Sequence, residues 1–148
     1  MTLHAQQGSN LMNPRHFIRI TMTLALTAAN TAMAEQPQDF INGYTQEAKA
    51  QNPGFSGFDA ARGQQLFTAA HATDWRCTTC HTDNPKAQGK HAETQKVIEP
   101  LAPSANPARF TNREKVEKWF KRSCKDVLER ECTAQEKGDV LTWLLSLP

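Results

Sequence analysis

The chain has 148 residues, 17 Lys and Arg against 15 Asp and Glu, and a formal net charge of +2. That balance excludes a nucleic-acid partner, because neutralising phosphates requires a clear basic excess. The length admits one small domain with a modest core, which benefits from a covalent staple or a large bound group.

Residues 1–34 read as an export signal. Arg15, His16 and Arg19 make a basic start, Ile20 to Ala29 is a short apolar run, and Ala32-Met33-Ala34 is a small-residue cleavage site. Met12 is an equally good start, since what precedes it lacks signal character. The apolar run falls well short of the roughly 20 residues that span a bilayer, so no membrane span is expected after cleavage. Export implies an oxidising compartment for the mature domain, residues 35–148. Arg15 and Arg19 leave with the leader, so 15 basic residues face 15 acidic ones and the mature chain is formally neutral.

Helices follow, with no credible strands. Gln38 to Gln51 carries Phe40, Ile41, Tyr44 and Ala48 on one side and stops at the turn signal Asn52-Pro53-Gly54. A second helix opens with Ser56 and Asp59 in capping-box relation, runs to about His71, and turns Phe58, Leu66, Phe67 and the small Gly63 towards the core. His71, at its end, suits the negative pole of the helix dipole.

The stretch "WRCTTCHTDNP" then places Cys77, Cys80 and His81 together. Two cysteines at this spacing serve a zinc knuckle, a redox dithiol or the attachment of a c-type haem, for which C-x-x-C-H is the specific pattern. A redox pair expects a surrounding βαβ pattern, and a structural zinc needs a fourth ligand at a recognisable spacing. His71 or His91 completes no familiar knuckle. Attachment of one haem c explains all three residues: two thiols for the two vinyl groups, and His81 as the proximal iron ligand.

Lys86 to Pro107, with Pro100, Pro103 and Pro107, reads as an irregular loop able to wrap a cofactor's edge. His91 within it is either a distal iron ligand or a solvated loop histidine. Thr111 and Glu114 form a capping box for a helix that turns Val116, Trp119, Phe120, Val127 and Leu128 to one face. Lys115, Lys118, Lys121, Arg122 and Lys125 on its other side either dock an acidic redox partner or form a solvated face of i,i+4 pairs, Glu114 to Lys118 and Glu117 to Lys121. Cys124 and Cys132 are either a disulfide, worth roughly 2.5 kcal/mol for so short a loop, or two free thiols. A last helix opens with the box Thr133 and Glu136 and buries Val140, Leu141, Trp143, Leu144 and Leu147.

A helix, the motif, a long loop and closing helices suit an all-α fold of the class I cytochrome c kind. There the helix before the motif crosses the last one, here with Gly63 and Phe67 facing Trp143 or Leu144. Met1, Met12, Met22 and Met33 are all the methionines, and all fall in the leader. The mature chain therefore lacks the thioether that closes the iron of a typical electron-carrying cytochrome c. Arg76, Lys96, Arg109 and Arg113 are candidate partners for the haem propionates.

The segments "ARGQQLF", "CTTCHT" and "IEPLAPSANPARFTNREKVEKWFKRSCKDVLERECTAQEKGDVLTWLLSL" resemble the sphaeroides haem protein family, small bacterial monohaem class I cytochromes, over about Phe40 to Leu147. The resemblance implies a periplasmic high-spin cytochrome that binds oxygen or nitric oxide when reduced and takes electrons from a di-haem cytochrome c. It also implies a disulfide between Cys124 and Cys132. In the family's best-known member an asparagine immediately before the first of these cysteines ligates the ferric iron, and this chain has Ser123 there. Serine is a shorter side chain and a poor iron ligand when neutral, so Ser123 at the distal position orients a water or leaves the site open, with direct coordination of the iron as the alternative. The leading expectation is an electron carrier that binds diatomic gases. The alternatives are a plain shuttle closed by a strong sixth ligand such as His91, served by the same di-haem donor or by a membrane cytochrome, and a small enzyme reducing O2, NO or peroxide. The last is ranked third because no distal His-Arg pair is evident in the sequence.

Overall fold

A computed structural model describes residues 34–148. The expected leader lies outside them apart from Ala34. The described chain is mainly helical: α1 (Pro37–Gln51), α2 (Ala60–Thr68), α3 (Cys77–His81), a two-residue antiparallel pair β1 (Gly89–Lys90) and β2 (Val97–Ile98), then α4 (Arg113–Leu128) and α5 (Ala134–Ser146). Among the described residues no helix is long and apolar enough to cross a membrane.

The apolar periodicity of α1 is used as written, with Phe40, Tyr44 and Ala48 buried. Its start is fixed by Pro37 at the first turn and by the Asp39 carboxylate, which accepts the Gln36 N–H at 2.8 Å. The second helix departs from expectation at both ends. Gly57, at φ +128°, holds the chain out of helical geometry, and Asp59 rather than Ser56 is the cap, its carboxylate accepting the Arg62 N–H at 2.8 Å. At the far end α2 stops at Thr68, and the His71 ring Nε2 bonds the Leu66 carbonyl at 2.7 Å. His71 thus satisfies an acceptor that the last turn leaves open.

Helices α2 and α5 cross at backbone contact. A Cβ placed on Gly63 would lie 2.1 Å from the Asp139 carbonyl oxygen, so residue 63 has to be glycine for the two backbones to meet. One turn on, Phe67 packs its ring 5.0 Å from that of Trp143. Gly63 therefore faces Asp139 and Val140, a turn earlier than Trp143. Asp139, 4 % exposed, accepts the Asp59 N–H at 2.7 Å and ion-pairs with Arg62 at 2.8 Å, which compensates its buried charge. Phe40, Tyr44, Phe67, Phe110, Val140, Leu141, Trp143 and Leu144 make one core in which α1, α2 and α5 meet.

The third expected cap moves by one residue. Asn112, not Thr111, caps α4 through the Lys115 N–H at 2.8 Å, while the Thr111 hydroxyl donates to the Ala108 carbonyl. Trp119, expected in the core, is 48 % exposed, and Leu147 is only partly buried. The expected i,i+4 pairs of α4 do not form. Glu117 turns inward, accepting the Tyr44 hydroxyl at 2.7 Å and the Lys137 ammonium at 2.8 Å, and Lys121 reaches Glu131 at 3.4 Å instead. Burial and the neighbouring Glu117 hold the Tyr44 phenol firmly protonated. The box at α5 forms as read: Thr133 accepts the Glu136 N–H at 3.2 Å, and the Glu136 carboxylate accepts the Thr133 N–H at 2.8 Å. A disulfide joins Cys124 on α4 to Cys132 ahead of α5, with Cα atoms 5.7 Å apart.

The short β pair corrects the expectation of no strands. A loop this long carries many backbone donors and acceptors that need partners, and Gly89 opposite Ile98 with Lys90 opposite Val97 supplies some of them. The Pro85 carbonyl accepts from Leu101 N–H at 2.8 Å and Ala102 N–H at 3.0 Å, pinning the loop's far limb behind the motif.

Candidate haem site

Cys77, Cys80 and His81 share the single turn of α3, which ends where Thr82 turns to φ +61°. Both thiols are free, and each is half-buried. Cys77 packs against the core cluster, where burial pushes its thiol up to about 11. The Cys80 sulfur lies under the loop and takes the Ala92 N–H at 3.4 Å. Strand β1 runs flush with the motif: a Cβ on Gly89 would sit 2.0 Å from the Cys80 carbonyl oxygen and 3.0 Å from the His81 Cα.

The His81 ring stands 5.9 Å from that of Phe67, so the α2–α5 crossing buttresses it. Burial, and next the positive charge of Arg109, push its pKa down to about 4. The imidazole is therefore neutral at ordinary pH, the form that offers a lone pair to a metal. No group of three or more His, Cys, Asp or Glu side chains suited to a metal ion occurs among the described residues. The zinc reading, which needs four ligands, finds no support in that geometry. Two thiols and a neutral imidazole on one turn are the donor set that a covalent haem requires.

Of the four candidate propionate partners, three are otherwise placed. Arg76 and Lys96 are exposed, and Arg113 pairs with Glu35 at 2.6 Å and stacks over Phe40. Arg109 differs. Its half-buried guanidinium donates from Nε to the Pro100 carbonyl at 2.8 Å and from Nη2 to the Glu99 carbonyl, and it forms no salt bridge among the described residues.

On the α4 side, Ser123 is half-buried and directly precedes the disulfide. A cleft of about 250 Å³ is lined by Trp75, His91, Glu93, Arg122 and Asp126. It brings the motif's leading edge, the loop and the α4 turn around Ser123 to one place. His91 uses Nδ1 to accept the N–H groups of Glu93 and Thr94, both at 3.3 Å. In the neutral ring the proton then sits on Nε2, the nitrogen that points away from that turn. Arg122, which stacks 5.8 Å from the Trp119 ring, shares the cleft with His91. The sequence shows no such His-Arg pair, because the two residues lie 31 apart and only the loop's return brings them together.

Comparison with known proteins gives consistent relatives. Residues 53–144 match the family model described as Domain of unknown function (DUF1924). The chain is 42 % identical over 129 residues to the cytochrome c-type protein SHP of Cereibacter sphaeroides, across 83 % of this chain and 95 % of the relative. It is 36 % identical over 107 residues to cytochrome c'' of Methylophilus methylotrophus, across 70 % and 74 % respectively. Among solved structures, oxidised SHP, named an oxygen-binding cytochrome c, superposes with a TM-score of 0.67 at 40 % identity, covering 75 % of this chain and 96 % of SHP. Oxidised cytochrome c'' gives 0.69 at 34 % identity over 74 % and 93 %. A solution structure of cytochrome c'', described in terms of haem-ligand detachment, gives 0.66 at 33 % identity over 74 % and 92 %.

Proposed function

The chain belongs to the sphaeroides haem protein family, monohaem c-type cytochromes of class I fold that hold their haem covalently, and from that premise we propose an exported electron carrier whose distal iron side binds diatomic gases. Cys77 and Cys80 hold the haem as thioethers and His81 is its proximal ligand. Bound haem supplies a one-electron couple and a metal for oxygen or nitric oxide. The rest is the work of the chain: Phe67, itself backed by Trp143, supports the His81 ring, and the loop's Ala92 N–H rests on the Cys80 sulfur.

The observation that carries the gas-binding reading is the hydrogen bonding of His91. With Nδ1 occupied by two backbone N–H groups, the ring presents a proton rather than a lone pair on Nε2. A plain shuttle closed by His91 would need the opposite tautomer. No methionine exists in residues 34–148 to take that place, and the Ser123 hydroxyl is a poor iron ligand when neutral. A relative named as oxygen-binding and another described by haem-ligand detachment support a weakly held sixth position. Residues 1–34 support delivery to the periplasm, with a di-haem cytochrome c or a membrane cytochrome as donor.

The optical spectrum of the reduced protein before and after carbon monoxide tests this reading. We expect a shifted Soret band. A spectrum indifferent to carbon monoxide would establish a strong sixth ligand and end the proposal. The cleft shared by His91 and Arg122 favours a second reading, reduction of peroxide or nitric oxide at the same iron, which turnover no faster than that of free haem would remove.

A further inference from the structure

The close helix pairings of this domain are α2 with α5 and α1 with α5, and α4 shares in neither. It is nevertheless the helix that carries Ser123, and it turns Val116, Phe120 and Val127 inward on the same face. A helix without a closely packed neighbour has little of the tertiary contact that usually holds one in place, so discrete ties decide its position.

Those ties sit at its start, its middle and its end. At the start the Glu35 carboxylate accepts the Arg113 backbone N–H and Nε, both at 2.6 Å. At the end the disulfide joins Cys124 to Cys132, and the Thr73 hydroxyl donates to the Val127 carbonyl at 3.1 Å. The middle tie reaches furthest. One Glu117 oxygen accepts the Tyr44 hydroxyl of α1 at 2.7 Å and the other accepts the Lys137 ammonium of α5 at 2.8 Å, so a single side chain joins three helices. Tyr44 is 2 % exposed, sets its ring edge-on 6.1 Å from Phe120 and lies 5.4 Å from the Lys137 ammonium. A hydrogen bond to an ionised partner is about twice as strong as a neutral one, and burial makes it costly to break. Ser123 follows Glu117 by fewer than two turns and immediately precedes the disulfide, so it is held between the middle tie and the last one.

We propose that Glu117, gripped by Tyr44 and Lys137, is a positioning residue that holds α4, and with it Ser123, in place and so limits how fast a diatomic gas reaches the iron. The inference rests on the gas-binding reading given above. Both Glu117 oxygens and the Tyr44 hydroxyl are engaged within the tie, so these groups act through the helix and not by touching the gas. Opening the middle tie leaves the segment around Ser123 restrained from one side only, by the disulfide, and free to swing outward.

The test uses the matured holoprotein and two variants. Tyr44→Phe keeps the ring against Phe120 and removes only the hydroxyl, and Lys137→Met keeps the aliphatic stem and removes only the ammonium. Each should raise the rate of carbon monoxide association about tenfold, the change in an opening equilibrium that loss of one buried hydrogen bond to a charged group produces. Hydrogen exchange should quicken by a similar factor in residues 117–124 and stay as it is in α2. Asp59→Ala removes the α2 cap at comparable cost in stability, and its side chain has no partner on α4, so it should keep the parent's association rate. Parent-like association in the Tyr44 and Lys137 variants, or exchange in α4 that rises no more than in α2, would overturn the proposal. So would faster association in the Asp59 variant, since gas entry would then follow overall stability. If one of the two tie variants fails to mature, the other decides alone. Failure of the underlying reading is seen separately and first, in a parent whose reduced spectrum ignores carbon monoxide.

Discussion

At the scale of single residues, the tolerances of this protein are set by backbones meeting where a side chain cannot fit. Gly63 touches the Asp139 carbonyl, a group held in the α5 ladder and unable to swing aside as a side chain would. Gly63→Ala should therefore force α2 and α5 apart, separating Phe67 from Trp143 and loosening the wall behind His81. Overpacking of this kind costs about 1–3 kcal/mol, and we expect the upper half of that range, read as a lower guanidinium midpoint with little change in slope. A variant as stable as the parent would show that the crossing has slack. Residue-level chemistry was readable from sequence where the neighbours are local. The C-x-x-C-H turn is the example; the smallness of residue 63 was read from its spacing before Phe67, while the backbone it meets, that of Asp139, lies far along the chain. Arg109 was one of four equal candidates, because its lack of a carboxylate partner is a fact about tertiary neighbours.

At the scale of elements, the helix starts show what periodicity resolves and what it leaves open. Thr133 and Glu136 act as the pattern suggests, since nothing else competes for them. Ser56 and Thr111 are equally plausible by spacing, but Asp59 and Asn112 stand nearer the first helical turn and take the capping role. Trp119 and Glu117 exchanged their expected environments for a related reason: Tyr44 and Lys137, from α1 and α5, draw the carboxylate inward. The cap of α5 yields a prediction about acid. Burial opposes ionisation of Glu136, but Arg130 at 2.6 Å and the Thr133 N–H outweigh it and hold the carboxyl below its usual 4.5. Between the folded and ordinary values the unfolded chain binds more protons. Stability that Glu136 contributes above the ordinary value is thus lost as pH falls through the lower one. Glu136→Gln should flatten that acid limb in thermal unfolding and cost about 1 kcal/mol or less at neutral pH. An unchanged limb would assign acid sensitivity to other carboxylates.

At the scale of the whole molecule, a small domain is closed by two covalent devices on either side of one core. The disulfide ties the end of α4 to the start of α5, just past Ser123. Replacing both Cys124 and Cys132 with Ser should destabilise the holoprotein by about 2.5 kcal/mol, the loop-closure entropy of so short a ring. Because α4 then frays beside Ser123, the proposed distal residue, carbon monoxide should also bind faster than in the parent. Unchanged denaturation midpoint and unchanged binding would make the bridge a passive ornament of the fold. The order of helices and the place of the crossing were legible in the sequence. The β pair and the cleft joining His91 to Arg122 were not, since both arise from a loop returning over the motif, and proline-rich spacing does not encode where a loop returns.

That returning loop also bears on biogenesis. With the Gly89 backbone against the Cys80 carbonyl and the Ala92 amide resting on its sulfur, the completed fold covers one thiol and keeps the other protonated among apolar neighbours. Thiolate is the reactive form, so ligation belongs to a chain not yet closed.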